Sequence, residues 1–307
     1  MGLVAGILSA SSYTGANLGL RWVATTCDPA TVSFVKAIPI ALVSSLVMIV
    51  NAAKGNRVWP SAALMMRLVL AAIFMQLAGN LAFQWSLGQI GLALTVPLCM
   101  GTLLIGVAVF GRMWLAEPIA VRSLLAILLL IASIVVLSSV ANESAASVRQ
   151  LEIDQVSFGL LAGGIGAACL SGVAYAVGNV VLRKALAERL PVATALSVMS
   201  VTGVVLLGGL SLRHGTGALA AIGRENLGAI ALAGVFNAVA FYSLARALQL
   251  LSVIQANLIC ASQVAMSVAC GVIFFDEPAG IFQFGGIALT IAGLVTMGRR
   301  AKAVSDG

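Results

Sequence analysis

Long apolar runs constrain the fold of this chain more than any other feature. Ten of them are about 20 residues long, enough for an α-helix to cross roughly 30 Å of hydrocarbon. They lie near residues 2–20, 31–53, 64–87, 91–111, 119–140, 157–182, 192–212, 227–249, 253–275 and 279–298. Apolar residues make up 61% of the 307 residues and charged residues only 9%, a balance far from that of globular domains. The sequence therefore predicts an all-α membrane protein with ten transmembrane helices.

The second half of the chain repeats features of the first. Residues 96–137 contain two apolar runs joined by a short polar segment in which Glu117 precedes Pro118. The same order of features recurs later in the chain, where Glu277 precedes Pro278 between two further apolar runs. The first and sixth predicted helices also correspond, because each carries Tyr, Asn and Arg at four-residue spacing. These residues are Tyr13, Asn17 and Arg21 in the first, and Tyr175, Asn179 and Arg183 in the sixth.

An odd number of predicted helices in each half determines how the halves relate in the membrane. Five helices bring the second half into the bilayer in the direction opposite to the first. We therefore predict two inverted five-helix repeats, at residues 1–148 and 149–307, as found in many secondary transporters.

Positive charge is distributed unevenly between the predicted loops. With the N-terminus inside, the inner loops and tail hold twelve of the seventeen Lys and Arg residues. The twelve are Lys54, Arg57, Arg67, Arg112, Arg122, Arg183, Lys184, Arg189, Arg246, Arg299, Arg300 and Lys302. This excess follows the positive-inside rule and predicts a multi-pass protein of the plasma (inner) membrane with both termini in the cytoplasm. The rule also accounts for the net charge of +7, so no nucleic-acid partner is predicted.

Residues suited to catalysis or metal binding are sparse at the predicted membrane depth. Four of the five cysteines lie within predicted spans, where they are expected to pack as small apolar residues, and Cys27 stands alone in a loop. The single histidine, His214, is also in a predicted loop. No catalytic residue, metal site or cofactor is predicted, and a membrane-embedded enzyme is disfavoured. Residue chemistry does not separate a transporter from a channel or a non-transporting scaffold.

Amide and aromatic side chains within the spans are the candidate substrate-binding residues, because a polar group in hydrocarbon costs free energy unless it has a partner. The candidates are Tyr13, Asn17, Gln76, Asn80, Gln84, Tyr175, Asn179, Asn237, Phe241 and Tyr242. Gln76, Asn80 and Gln84 follow one another at four-residue spacing, which predicts an amide stripe on one face of the third helix. The alternative is that these amides only hold neighbouring helices together.

Three charged residues carry separate predictions. Lys36 lies one or two turns inside the second predicted span and is expected to snorkel to the outer surface, with attraction of an anionic substrate as the alternative. Glu117 and Glu277 each precede a proline at a predicted helix start, so each is expected to cap that helix. No acidic residue falls at mid-membrane, which favours transport without stoichiometric proton coupling. The alternative is a proton carried by Lys36, if it is buried, or by a junction carboxylate that water reaches.

With these motifs, the chain resembles the drug/metabolite transporter superfamily, specifically the ten-helix type with two EamA domains. The matching features are Tyr13-Thr14-Gly15, the helix-closing Arg21 and Arg183, and the junction residues Glu117 and Glu277. The chain departs from the family pattern at Ala116 and Asp276, where the family often has glycine before the glutamate. The resemblance implies an exporter or exchanger of a small polar or amphipathic, amino-acid-like metabolite, working by alternating access in the lipid bilayer.

Overall fold

The computed structural model, which describes residues 1–56, 58–116, 121–139, 141–150, 157–213, 222–277 and 280–298, is all-helical. The helices are α1 Gly2–Trp22, α2 Pro29–Ala53, α3 Ala62–Ile90, α4 Leu92–Leu115, α5 Val121–Ser139, α6 Ala141–Arg149, α7 Phe158–Ala187, α8 Val192–Arg213, α9 Arg224–Leu250, α10 Val253–Phe275 and α11 Ile281–Gly298. Two of them are irregular, since α3 contains a π-helical segment at Met75–Leu81 and α10 is interrupted at residues 261–262.

Seven of the described helices are long and apolar enough to cross a membrane: α2, α3, α4, α7, α8, α9 and α10. The prediction of an all-α membrane protein is thereby confirmed. Helices α1, α5 and α11 coincide with the three other predicted spans, and their crossing of the membrane stays a prediction. Helix α6 is a short polar helix at the boundary of the two predicted halves.

Short polar side chains determine where several helices begin. At the start of α2, Asp28 Oδ2 accepts a hydrogen bond from the N–H of Thr31 at 2.8 Å. Ser61 and Ser157 accept equivalent bonds at the starts of α3 and α7, and Ser252 forms a capping box at the start of α10. These contacts satisfy N–H groups that the first turn of a helix leaves without partners.

Helices α4 and α10 end in the same backbone conformation. Their C-cap residues, Ala116 (φ 53°) and Asp276 (φ 49°), are both left-handed. Each donates its N–H to the carbonyl of a glycine five residues earlier, Gly111 or Gly271. Glycine adopts this conformation with least strain, so these are positions where the family's usual glycine would fit. The two halves therefore share a helix end as well as a sequence motif.

The helices also pair in a pattern that relates the two halves. Helix α1 packs along α9 and α7 packs along α3, while α4 packs on α7 and α10 packs on α1. Helix α2 packs against α8, and α5 against α11. Suppose that each helix from α1 to α5 is exchanged with its counterpart from α7 to α11, so that α1 becomes α7 and so on. Each of the pairs named above then becomes another of these pairs or stays the same. Helix α4 lies at the centre of the packing, because 83% of its most apolar 18-residue stretch is buried.

Candidate functional site

A cavity with a mixed lining of apolar and polar side chains lies inside the bundle, between helices of both halves. Its volume is about 100 Å³, room for several water molecules or a small polar molecule. Eight of the ten predicted binding residues line it: Tyr13, Asn17, Gln76, Asn80, Tyr175, Asn179, Asn237 and Phe241. The structure thus brings most of the predicted set together at one site, and their contact with a substrate stays a prediction.

The π-helical segment of α3 explains why Gln84 is not among the cavity residues. Gln76 and Asn80 lie within this segment, which holds more residues per turn than an α-helix. The four-residue spacing therefore does not keep Gln84 on the face that carries the other two amides. Gln84 is instead buried against α1, where its Nε2 donates to the Leu20 carbonyl at 3.1 Å.

Tyr242 also lies away from the cavity. The preceding residue, Phe241, is buried and lines the cavity wall, whereas Tyr242 is 51% exposed on the outer surface of the bundle. Adjacent residues on an α-helix point about 100° apart, so only one of the pair faces inward.

A hydrogen-bonded network centred on Asn80 forms one wall of the cavity. Asn80 Oδ1 accepts from Lys36 Nζ at 2.8 Å and from the Tyr175 hydroxyl at 3.0 Å. Asn80 Nδ2 donates to Gln76 Oε1 at 2.6 Å, and Gln76 Nε2 donates to the Met199 carbonyl at 3.4 Å. The network ties α2, α3, α7 and α8 together beside the cavity.

The prediction that Lys36 snorkels to the outer surface is wrong. The residue is only 4% exposed and lines the cavity. Its ammonium group finds a partner in Asn80 on the neighbouring helix, so the side chain has no need to reach the membrane surface. The hydropathy pattern located Lys36 along the helix but carried no information about which neighbour it would meet.

Two further amide residues line the cavity and were not among the predicted binding residues, Asn257 and Gln263. Asn257 Oδ1 accepts from Asn179 Nδ2 at 2.7 Å, and Gln263 Oε1 accepts from Asn17 Nδ2 at 3.5 Å. They lie on either side of the interruption in α10, so they do not share a regular helical spacing. Their polarity within an apolar run was the signal that could have identified them.

Tyr13 and Asn237 line the cavity without a hydrogen bond from their side chains to any described residue. Tyr13 belongs to α1 and Asn237 to α9, two helices that pack along each other. Their hydroxyl and amide groups are therefore available to a molecule within the cavity.

A buried ion pair joins the two halves where α1 ends and α4 begins. Arg21 Nε donates to Glu277 Oε1 at 2.8 Å, with side chains 9% and 1% exposed. The same carboxylate accepts from the N–H groups of Leu92 at 2.8 Å and Ala93 at 2.6 Å. The Arg21 guanidinium also lies over the ring of Phe275, 5.0 Å from its centroid.

Glu277 caps a different helix from the one predicted. The next helix, α11, begins only at Ile281, and the carboxylate binds the first turn of α4 instead. Gly91 makes this possible, because its backbone (φ 79°, ψ 178°) is one that only glycine adopts readily. A Cβ atom at this position would lie 2.6 Å from Glu277 Oε1. Glu117, for which a capping role was also predicted, lies outside the described residues.

A family model matches the second half of the chain. Residues 162–299 match the model of the EamA-like transporter family. The second half of the chain is therefore an EamA-like transporter domain, which confirms the resemblance to the drug/metabolite transporter superfamily. Together with the seven apolar helices, the match supports an integral, multi-pass membrane protein whose second half resembles a family of transporters.

The fold also recurs among solved structures. One similar structure, named only "Crystal structure of protein", has a TM-score of 0.67 and 14% sequence identity, and the alignment covers 98% of this chain and 99% of that chain. At this identity the similarity extends to the fold alone. No curated protein matches the chain in sequence.

Proposed function

We propose that the protein is a secondary transporter that carries a small polar or amphipathic, amino-acid-like metabolite through the central cavity, as an exporter or exchanger. The observation that carries this proposal is a cavity inside an apolar bundle, lined from both halves by amide and hydroxyl groups. Polar groups at membrane depth cost free energy unless they have partners, and a polar substrate supplies such partners. A site formed between two halves of the bundle is also what alternating access requires.

The same proposal includes ten transmembrane helices arranged as two inverted repeats, residues 1–148 and 149–307. The exchange symmetry of the helix pairs and the shared ends of α4 and α10 support this arrangement. The Arg21–Glu277 pair also joins the two halves, at one end of the bundle.

Counterflow in proteoliposomes tests whether the protein is a carrier. A thermal-shift screen against small metabolites first identifies a ligand, since binding to the folded state raises Tm. Vesicles loaded with that ligand should then accumulate external labelled ligand transiently above its equilibrium level. Asn17→Ala and Asn179→Ala should each lower the rate about fivefold, corresponding to roughly one net hydrogen bond. Asn56→Ala, at an exposed position between α2 and α3, is the matched control.

Other outcomes of this experiment would point to different functions. Simple equilibration without overshoot would indicate a channel, and no exchange of the bound ligand would indicate a scaffold.

An imposed pH gradient without a substrate gradient should drive no accumulation, because no acidic residue of the described part of the chain lines the cavity. Uphill uptake that a protonophore abolishes would contradict exchange without proton coupling.

The membrane orientation has its own test. With both termini in the cytoplasm, Cys27 between α1 and α2 should react with an impermeant maleimide added outside intact cells. In a Cys27→Ser background, a cysteine introduced by Asn56→Cys should react only after the cells are permeabilised. Labelling of the two positions in the reverse pattern would place the N-terminus outside.

A further inference from the structure

Lys36 places a cation in the wall of the cavity. A lysine ammonium group has three N–H donors and no acceptor. Among the described residues, one donor is used, by Asn80 Oδ1. Arg21, by contrast, is paired with Glu277 and lies outside the cavity lining. Two donors of Lys36 are therefore left for a molecule in the cavity.

The charge of Lys36 is not compensated by the surrounding protein. No Asp or Glu among the described residues lines the cavity. Glu277 already accepts bonds from Arg21, Leu92 and Ala93 at the end of the bundle. An unpaired charge within a membrane protein is costly, so an anion from outside the protein is the partner that would offset the cost.

The network around Asn80 holds the ammonium group in position. Asn80 Oδ1 has two lone pairs, and the Lys36 and Tyr175 donors occupy both. The Asn80 amide is fixed in turn by its bond to Gln76. Lys36 cannot make a second bond to Asn80 Oδ1, so its remaining donors are left for cavity contents.

The rest of the cavity limits which anion would fit. Among the described residues, Lys36 is the only basic residue that lines the cavity, and its single positive charge balances one negative charge but not the two of a phosphate dianion. On other helices, Tyr13 and Asn237 offer a hydroxyl and an amide without internal partners. These groups suit a second polar group of the same molecule, such as an amine.

We propose that the substrate carries a carboxylate that binds Lys36, and that the Asn80 network positions this lysine for it. This inference rests on the proposed function, since it assigns the substrate class of the same cavity. If Lys36 only joined helices, the protein would bind a carboxylic acid and the corresponding amide with equal affinity.

Matched ligand pairs test the assignment by thermal shift on the purified full-length protein. The pairs are leucine and leucinamide, glutamine and its α-amide, and phenylalanine and phenylalaninamide. At least one acid should bind about tenfold or more tightly than its amide, as charge-assisted hydrogen bonds predict. Lys36→Met should remove that preference and Lys36→Arg should retain part of it. Lys184→Met, which changes a lysine of α7 outside the cavity, should leave it intact.

The possible results separate this inference from the carrier proposal. Equal binding of acid and amide, a preference that survives Lys36→Met, or no binding by any pair would overturn the carboxylate assignment. Tm values without ligand show whether each variant is folded, and if Lys36→Met is unfolded the Lys36→Gln variant replaces it. A carboxylate preference without counterflow would support the Lys36 site and overturn the carrier. Counterflow that uses the acid and the amide equally would support the carrier and overturn the Lys36 site.

Discussion

Replacing Glu277 by leucine is expected to destabilise the protein by about 3–5 kcal/mol, the usual cost of removing one partner of a buried ion pair. The substitution leaves the Arg21 guanidinium buried without its carboxylate. It also removes the acceptor for the N–H groups of Leu92 and Ala93 at the start of α4. Thermal unfolding in detergent should show a large fall in Tm, accompanied by loss of counterflow.

Two variants show whether the effect comes from the buried network. Glu225→Leu changes an exposed glutamate in the first turn of α9 and should alter Tm little. The double variant Arg21→Met/Glu277→Leu removes both charges and should recover part of the stability lost in Glu277→Leu. Equal Tm values for Glu277→Leu and Glu225→Leu would contradict the capping and pairing roles of Glu277.

Gly172→Ala is expected to disrupt the packing of α7 against α4. A Cβ atom at this position would overlap the Thr102 hydroxyl and the Cys99 carbonyl, and would lie 2.8 Å from Leu103 N. A side chain can rotate away, but the α4 backbone can make room only if the helices separate. Overpacking of this kind costs about 1–3 kcal/mol or more. Because Cys99 and Leu103 also line the cavity, ligand binding should weaken together with Tm.

Gly166→Ala provides the control on the same helix. A Cβ atom at this position would meet nothing within 4 Å. Alanine has the higher helix propensity, so this variant should be neutral or more stable by up to about 1 kcal/mol. If the two alanine variants have the same Tm, close approach of α4 and α7 at Gly172 is not a determinant of stability.

The positions of the helices could be predicted from the sequence because a bilayer demands long apolar segments, and these are visible without any tertiary information. Seven of the eight cavity residues were predicted for a related reason, since polar groups retained within such segments stand out, whereas Phe241 was predicted from its place in the repeat. Gln84 was misplaced because the π-helical segment of α3 changes the face on which later residues lie, and no hydropathy pattern marks that segment.

Contacts between distant parts of the chain could not be predicted in this way. Lys36 and Asn80 meet because α2 and α3 come together, and Glu277 meets Leu92 because α10 reaches the start of α4. Helical spacing relates residues on one helix, whereas these partners are brought together by packing between helices. The sequence thus identified both charged residues, but it placed Lys36 at the outer surface and assigned Glu277 to the helix that follows it.

The cap on α4 also has a consequence for the order in which the chain matures. Chains are synthesised from the N-terminus, and early segments begin to fold before later ones emerge. Helix α4 is synthesised long before residue 277. The N–H groups of Leu92 and Ala93 therefore lack the Glu277 carboxylate as an acceptor when α4 first enters the membrane. The first half therefore cannot reach its final structure as an independent unit, and its maturation is completed only when α10 is in place.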